Sequence, residues 1–345
     1  MRAVHCGLRG FTARALLASL CVCLAPGAAA AQEPTPAGAP TPPPDPATTA
    51  EPQPLRIGSS VLSGYIHYDY RSVGDIGPEG FYFRRVRFQL AGPLASGIKY
   101  LINAETTGTP SLRDAIIILD HFPAATLRIG QLVLPYSHER SVMSSNVMPF
   151  TERVLAELTP ARDAGVTISN ARPFFGWLSY AAAVHNGTIQ NVRDNNNAKD
   201  SLLRVTATPP QIPGLALGIN GARGEQPNGL RERFGGDVAF VRRTFEFGAE
   251  FLRERTRDGQ TTQDGFYVFG TRMFYPKTPI RGLHHLEFAT RYSRLQGPRT
   301  RRQWEFAGNY YAHRGLRFMF DVILPEGGVP DEGGAGLHAR ANLRF

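Results

Sequence analysis

The chain has 345 residues, 42% of them hydrophobic, with a mean hydropathy of −0.23 and a formal charge of +9. Beyond the first thirty or so residues no run approaches 18 consecutive apolar side chains, which excludes a spanning helix and leaves a soluble protein or a chain that crosses a membrane as a β-barrel. Only Lys99, Lys199 and Lys277 are lysines, so nearly all the positive charge is guanidinium, which stays ionised and grips carboxylate or phosphate through two hydrogen bonds at once.

At the start, Arg2, Arg9 and Arg14 precede an apolar run from Ala15 to Leu24 and small residues through Ala31. This is the pattern of a secretory signal peptide, with cleavage expected after Ala30 or Ala31, so that residues 1–31 are removed. The apolar run is about ten residues, half of what a bilayer-spanning helix needs. Cys6, Cys21 and Cys23 all lie within residues 1–31, so the mature chain is expected to lack disulfides, thiolate metal sites and cysteine nucleophiles. Residues 32–54 are mostly proline, alanine and threonine and read as a disordered periplasmic linker in semi-extended polyproline geometry.

From Leu55 to Phe345 the pattern is strand after strand, sixteen in all from 61–71 to 334–345, with no amphipathic helix of any length. Alternation assigns faces. Arg85, Arg87 and Gln89 oppose Val86, Phe88 and Leu90; Phe245, Phe247, Ala249 and Phe251 oppose Glu246 and Glu250. Leu286, Phe288, Thr290 and Tyr292 oppose His285, Glu287, Ala289 and Arg291, and Leu316, Phe318, Phe320 and Val322 oppose Arg317, Met319 and Asp321. A soluble sandwich also alternates, but it does not set charges opposite the apolar face on most of sixteen strands. The expected fold class is therefore all-β, a transmembrane antiparallel β-barrel of about sixteen strands, wide enough to hold water. Tyr65, Tyr68, Tyr70, Phe81 to Phe83, Tyr275, Tyr310 and Tyr311 near strand ends suit interfacial girdles, or simple β-propensity.

One connection breaks the rhythm. Leu132 to Arg162 is far longer than most of the others and too rich in Val142, Met143, Val147, Met148, Phe150, Val154, Leu155 and Leu158 to be disordered. It also carries His138, Glu139, Arg140, Glu152, Arg153 and Arg162, so a loop folded into the lumen with charges at its tip, narrowing the pore and setting ion preference, is expected.

Here the run Arg128-Ile129-Gly130-Gln131, then Pro135-Tyr136-Ser137, Glu139-Arg140, Ser144-Ser145-Asn146, Phe150, Glu152-Arg153 and later Pro160, Arg162 and Gly165 resembles the phosphate-selective porin O/P family. Phe83-Arg84-Arg85-Val86-Arg87 and the terminal Phe345 are similar to that family as well. The last nine residues put Leu337, Ala339, Ala341, Leu343 and Phe345 on one face, like the closing strand of outer-membrane barrels, whose final residue the assembly machinery reads. The resemblance implies a sixteen-strand, anion-preferring channel of the outer membrane, usually a homotrimer, with the long third loop folded inward. The chain departs from the phosphate-specific members in its lysines, with Lys99 alone in the first 198 residues.

The residues expected to line or constrict the pore are Arg85, Arg87, Arg128, His138, Glu139, Arg140, Glu152, Arg153 and Arg162, with Phe345 as the assembly signal. The expected partners are outer-membrane lipid, small anions or other solutes in transit, the assembly machinery and two further copies of the chain. No cofactor is expected. The histidines show no metal spacing, no serine sits in a nucleophile context, and the exported, evenly spread charge argues against nucleic acid. Two other readings stay open: a non-conducting structural or adhesive barrel plugged by its loop, and a barrel hydrolase.

Overall fold

The computed structural model of the chain describes residues 55–73, 79–143, 147–226, 229–256, 261–297, 300–326 and 335–345. The signal peptide and linker expected in residues 1–54, and the Ser144-Ser145-Asn146 part of the loop motif, lie outside them. In chain order the strands are β1 (Leu55–Ile57), β2 (Ser60–Val73), β3 (Gly80–Ala95), β4 (Ile98–Glu105), β5 (Ser111–Leu119), β6 (Ala125–Val133), β7 (Arg162–Asn170), β8 (Leu178–His185) and β9 (Asp200–Ala207). They continue with β10 (Leu215–Gln226), β11 (Gly229–Arg242), β12 (Phe245–Thr256), β13 (Thr261–Phe274), β14 (His285–Gln296), β15 (Arg301–His313), β16 (Leu316–Pro325) and β17 (Gly336–Arg344). A short helix α1 (His138–Ser141) and a single 3-10 turn (Ala156–Leu158) sit between β6 and β7.

Each strand pairs antiparallel with its neighbours in sequence from β2 to β17, and β17 pairs back onto β2, so sixteen strands close into a barrel. No edge is left to aggregate. The short β1 was not anticipated; it folds back on β2 at Leu55↔Leu62 and continues the edge of β2 beyond the point where the chain ends.

The alternation reads out as expected. On β16, Arg317, Met319 and Asp321 are buried while Phe318, Phe320 and Val322 are exposed; on β17, His338, Arg340 and Asn342 are buried while Leu337 and Leu343 are exposed. Around the ring, Phe88, Ile102, Ile117, Ile129, Val166, Val184, Leu203, Ile219, Phe234, Phe247, Val268, Phe288, Phe306 and Phe320 all stand on the outer wall. In water such a surface is a liability; in hydrocarbon it is the stable face.

Two irregularities bear on the interior. The β2–β3 register passes from His67↔Arg85 to Tyr68↔Phe83, so Arg84 is an inserted residue. The β4–β5 register passes from Asn103↔Asp114 to Ala104↔Leu112, so Arg113 is another. A bulge re-aims the extra side chain and breaks strict alternation. Both inserted residues are arginines.

The closure is tight at the carboxyl end. Gly64 and Phe345 exchange backbone hydrogen bonds of 2.8 and 3.1 Å, and the Phe345 ring tilts against Phe88 at 5.9 Å. A Cβ at Gly64 would meet the Phe345 ring at 2.7 Å and press on the carbonyl oxygen of Arg87, which is backbone and has no room to give. Gly64→Val is expected to cost about 1–3 kcal/mol of overpacking and to lower the yield of compact, heat-modifiable barrel on a denaturing gel; a wild-type yield and denaturation midpoint would show the seam to be looser than this packing implies.

Candidate functional site

Between Val133 and Arg162 the chain leaves the wall and turns into the lumen. Leu134, Tyr136, Met143, Met148, Phe150, Leu155 and Leu158 are buried in one cluster with inward residues of the wall: Ala183 on β8, Leu202 on β9, Leu252 on β12, Tyr267 and Phe269 on β13, Ala289 and Leu295 on β14, and Ala307 on β15. Phe150 meets Phe269 edge to face at 6.2 Å. A lumen of this width would be wet, so the apolar inward patch on these strands makes sense only under a cover. The loop is that cover.

Three carboxylates fix it. Glu250 on β12 accepts from Ser137 Oγ (3.1 Å), His138 N (2.7 Å), Glu139 N (3.0 Å) and Tyr267 Oη (3.1 Å), which satisfies the start of α1. Asp321 on β16 accepts from Thr151 N (2.6 Å) and Oγ1 (2.7 Å), and the same hydroxyl lies 2.9 Å from His338 Nδ1. Glu139 ties the loop to itself and to the wall, accepting from Val154 N (2.9 Å), Leu155 N (3.0 Å) and Arg291 (3.2 Å). Arg291 in turn holds Glu305 and stands 4.2 Å over the Phe150 ring.

Glu139 is only 1% exposed and His138 5%. Burial holds the His138 imidazole down at about 4, leaving it neutral at neutral pH beside Tyr267. These two residues, expected among the pore charges, are thus found in the attachment of the loop.

The other side of the loop faces β2 to β7. Arg140 and Arg153 project there, and Arg153 is oriented by the carbonyl oxygens of Glu139 (3.0 Å) and Met143 (3.1 Å). Burial, and then Arg153, Arg162 and Arg113, pull the Arg140 guanidinium down to about 10, which still leaves it cationic at neutral pH. Arg153 is lowered chiefly by burial, with Arg162 and Arg87 among its cationic neighbours. From the wall come Arg87, bonded to Glu105 and Tyr65 at 2.6 Å each, Arg162 on Asp114 at 2.8 Å, and Arg85, whose charged neighbours are Arg87, Arg84 and Arg340. The two bulge arginines join them: Arg84 grips Glu152 at 3.1 and 3.2 Å, and Arg113 lies near Arg162 and Arg87. Burial alone would raise the Glu152 carboxyl, yet Arg84, Arg340 and Arg85 hold it below the usual range, so it is ionised. Guanidinium groups outnumber the carboxylates Glu105, Asp114 and Glu152 that share this space.

Arg85, Arg87, Arg140, Glu152, Arg153 and Arg162 are therefore gathered on one side of the lumen. Arg128 is not among them: it lies on β6 nearer the short turn, with Nη1 3.5 Å from Ser169 Oγ. Arg84 and Arg113 were missed because strict alternation gave each a lipid-facing place; the doubled arginine of Phe83-Arg84-Arg85 was the available hint. Asp69, Glu152 and His338 bring one ligand atom each within 4.8 Å of one another. Their carboxylate oxygens, however, are engaged by Arg340 and Arg84. Arg84→Ala is expected to leave stability within about 1 kcal/mol, since the pair is a third exposed, while removing one cation and freeing one anion. Reversal potentials should move toward cations; an unchanged value would place Arg84 off the conduction path.

A closed sixteen-strand antiparallel barrel, apolar outside, charged inside and narrowed by an inward loop, defines a porin of the outer membrane. Residues 61–229, which span β2 to the start of β11 and include the whole loop, match the family described as phosphate-selective porin O and P. No curated protein matches the chain. Among solved structures it is similar to OmpF of Salmonella typhi in complex with daunomycin, with a TM-score of 0.61 and 12% identity over 83% of this chain and 97% of that one. The trimer form of Vibrio cholerae OmpT gives 0.61 and 10% over 84% and 100%. An anion-selective porin from Comamonas acidovorans gives 0.59 and 13% over 83% and 99%. At such identities these likenesses speak for the fold.

Proposed function

We propose that the channel prefers anions, and that its preference is set where the charged side of the inward loop faces the arginines of β3, β5 and β7. The observation that carries this reading is the excess of guanidinium over carboxylate around that opening, supplied from both the loop and the wall. Cations are repelled and small anions concentrated by the resulting potential in a narrow, low-dielectric lumen. Glu152, ionised and facing the same space, softens the preference. The family description favours phosphate among the anions, and a fork of guanidinium donors suits it.

The turn end, where both chain ends of the barrel lie, is read as periplasmic, and the end from which the long loop folds inward as extracellular. Residues 1–31 are read as a signal peptide, 32–54 as a periplasmic linker, Phe345 as the assembly signal, and the working unit as a homotrimer. The trimer form of Vibrio cholerae OmpT and the anion-selective porin of Comamonas acidovorans point the same way.

Arg113 and Arg140 offer the cleanest test, because neither side chain makes an ion pair among the described residues. Arg113→Gln with Arg140→Gln should fold normally and move the reversal potential in a potassium chloride gradient toward the cation side. An unmoved potential would remove the loop-and-wall assignment.

A further inference from the structure

Outside the lumen, one group of cations has no counter-charge among the described residues. On the outer wall at the turn end, Phe240, Arg242, Arg243, Thr244, Phe245 and Arg272 line an open groove of about 450 Å³. Arg272 is placed there by register: it lies opposite Phe245 on one side and Phe288 on the other, on the face of β13 shared by the exposed Val268 and Phe274. Its guanidinium stacks 3.8 Å over the Phe245 ring and 5.5 Å from that of Phe274, which holds it flat against the wall. No ion pair involves Arg242, Arg243 or Arg272 among the described residues, and the Arg272 Nε has no hydrogen-bond partner. Arg243 occupies the two-residue turn between β11 and β12 with φ at +56°, a conformation that glycine or asparagine adopts more cheaply.

An arginine at the bilayer midplane of a barrel wall costs about 2–4 kcal/mol, but near the interface almost nothing. Arg272 stands two residues before the end of β13, at the headgroup level of the leaflet that meets the turns. Lipid phosphate is abundant there. We propose that this groove is a binding site for an anionic phospholipid of the periplasm-facing leaflet, its phosphate held between Arg242, Arg243 and Arg272 and an acyl chain laid along Phe245 and Phe247. Charge complementarity selects the occupant: three guanidinium groups without a carboxylate partner match a phosphodiester of net negative charge. Phe247, exposed on the same face of β12, continues the apolar track toward the bilayer centre. The choice of leaflet rests on the orientation proposed above.

The test is native mass spectrometry of the folded barrel in an uncharged detergent, offered phosphatidylglycerol, phosphatidylcholine or lipid A at equal concentration. Wild type should retain phosphatidylglycerol in preference to phosphatidylcholine, and the triple variant Arg242→Gln, Arg243→Gln, Arg272→Gln should retain on the order of tenfold less of it. Arg255→Gln with Arg302→Gln, which removes two exposed charges from the opposite rim, should retain the wild-type amount. Heat-modifiable migration reports folding of each variant, and Arg272→Gln alone serves if the altered turn impairs assembly. Equal retention by the triple variant, or equal loss in the opposite-rim control, overturns the site. Preference for lipid A over phosphatidylglycerol overturns the leaflet and with it the orientation, while conductance of the same preparations separately reports on the channel.

Discussion

Glu250→Ala is expected to release the inward loop and raise single-channel conductance. The carboxylate is 2% exposed and receives four donors, two of them backbone N–H groups at the start of α1. Alanine leaves these donors buried without partners, each at about 1–3 kcal/mol. Asp321, the Arg291–Glu139 pair and the apolar cluster still hold the rest of the loop, so the barrel should assemble and the loop should detach first at His138 to Arg140. The expected record shows larger, noisier steps and faster proteolysis within the loop. Glu250→Gln should fall between: its amide oxygen still accepts from the His138 N–H, while its NH2 takes the place of the oxygen that the Glu139 N–H and the Ser137 and Tyr267 hydroxyls share, and the Glu139 N–H loses its acceptor. Wild-type conductance and protease resistance in Glu250→Ala would mean that the apolar contacts alone seat the loop.

A second large effect is expected at the seam where the last strand meets the first of the ring. Asp69 on β2 stands opposite Arg340 on β17, and both side chains are fully buried. Its two oxygens take Arg340 Nε at 2.8 Å and Nη2 at 2.7 Å, and Oδ2 also takes His338 Nε2 at 2.8 Å. Arg340 passes the connection on to the loop through Nη1 and the carbonyl oxygen of Thr151, 2.7 Å away. Removing one partner of such a pair strands the other charge in a poorly solvated place and costs about 3–5 kcal/mol. Asp69→Ala should therefore lower the urea midpoint of the folded barrel and slow its closure, with Asp69→Asn, which keeps the shape and one acceptor, less affected. A loss under about 1 kcal/mol would show that water reaches Arg340 and shares its charge.

The barrel was legible because strand periodicity carries it: once Phe318, Phe320 and Val322 face one way, Arg317, Met319 and Asp321 face the other, and a chain that repeats this around sixteen strands must close. The inward loop was legible too, since Met148, Phe150, Leu155 and Leu158 needed a surface to cover. Individual charges were harder. Arg84 and Arg113 enter the lumen through bulges, and a bulge is a property of two paired strands, invisible in either alone. His138 and Glu139 looked like pore charges because the same residue types serve both to line water and to satisfy buried backbone. What separates the two roles is Glu250, more than a hundred residues away in sequence and within hydrogen-bond distance in space. The outward Arg272 went unnoticed because alternation predicts the face of a side chain and is silent on what it stacks against.

The anion preference itself is read most directly from the reversal potential of single wild-type channels in a planar bilayer across a potassium chloride gradient. Stepwise currents with a reversal of the sign that chloride sets are the predicted result. A reversal of the potassium sign, or correctly folded barrels that pass no current, would contradict the excess of arginine around the loop as the determinant of what this chain lets through.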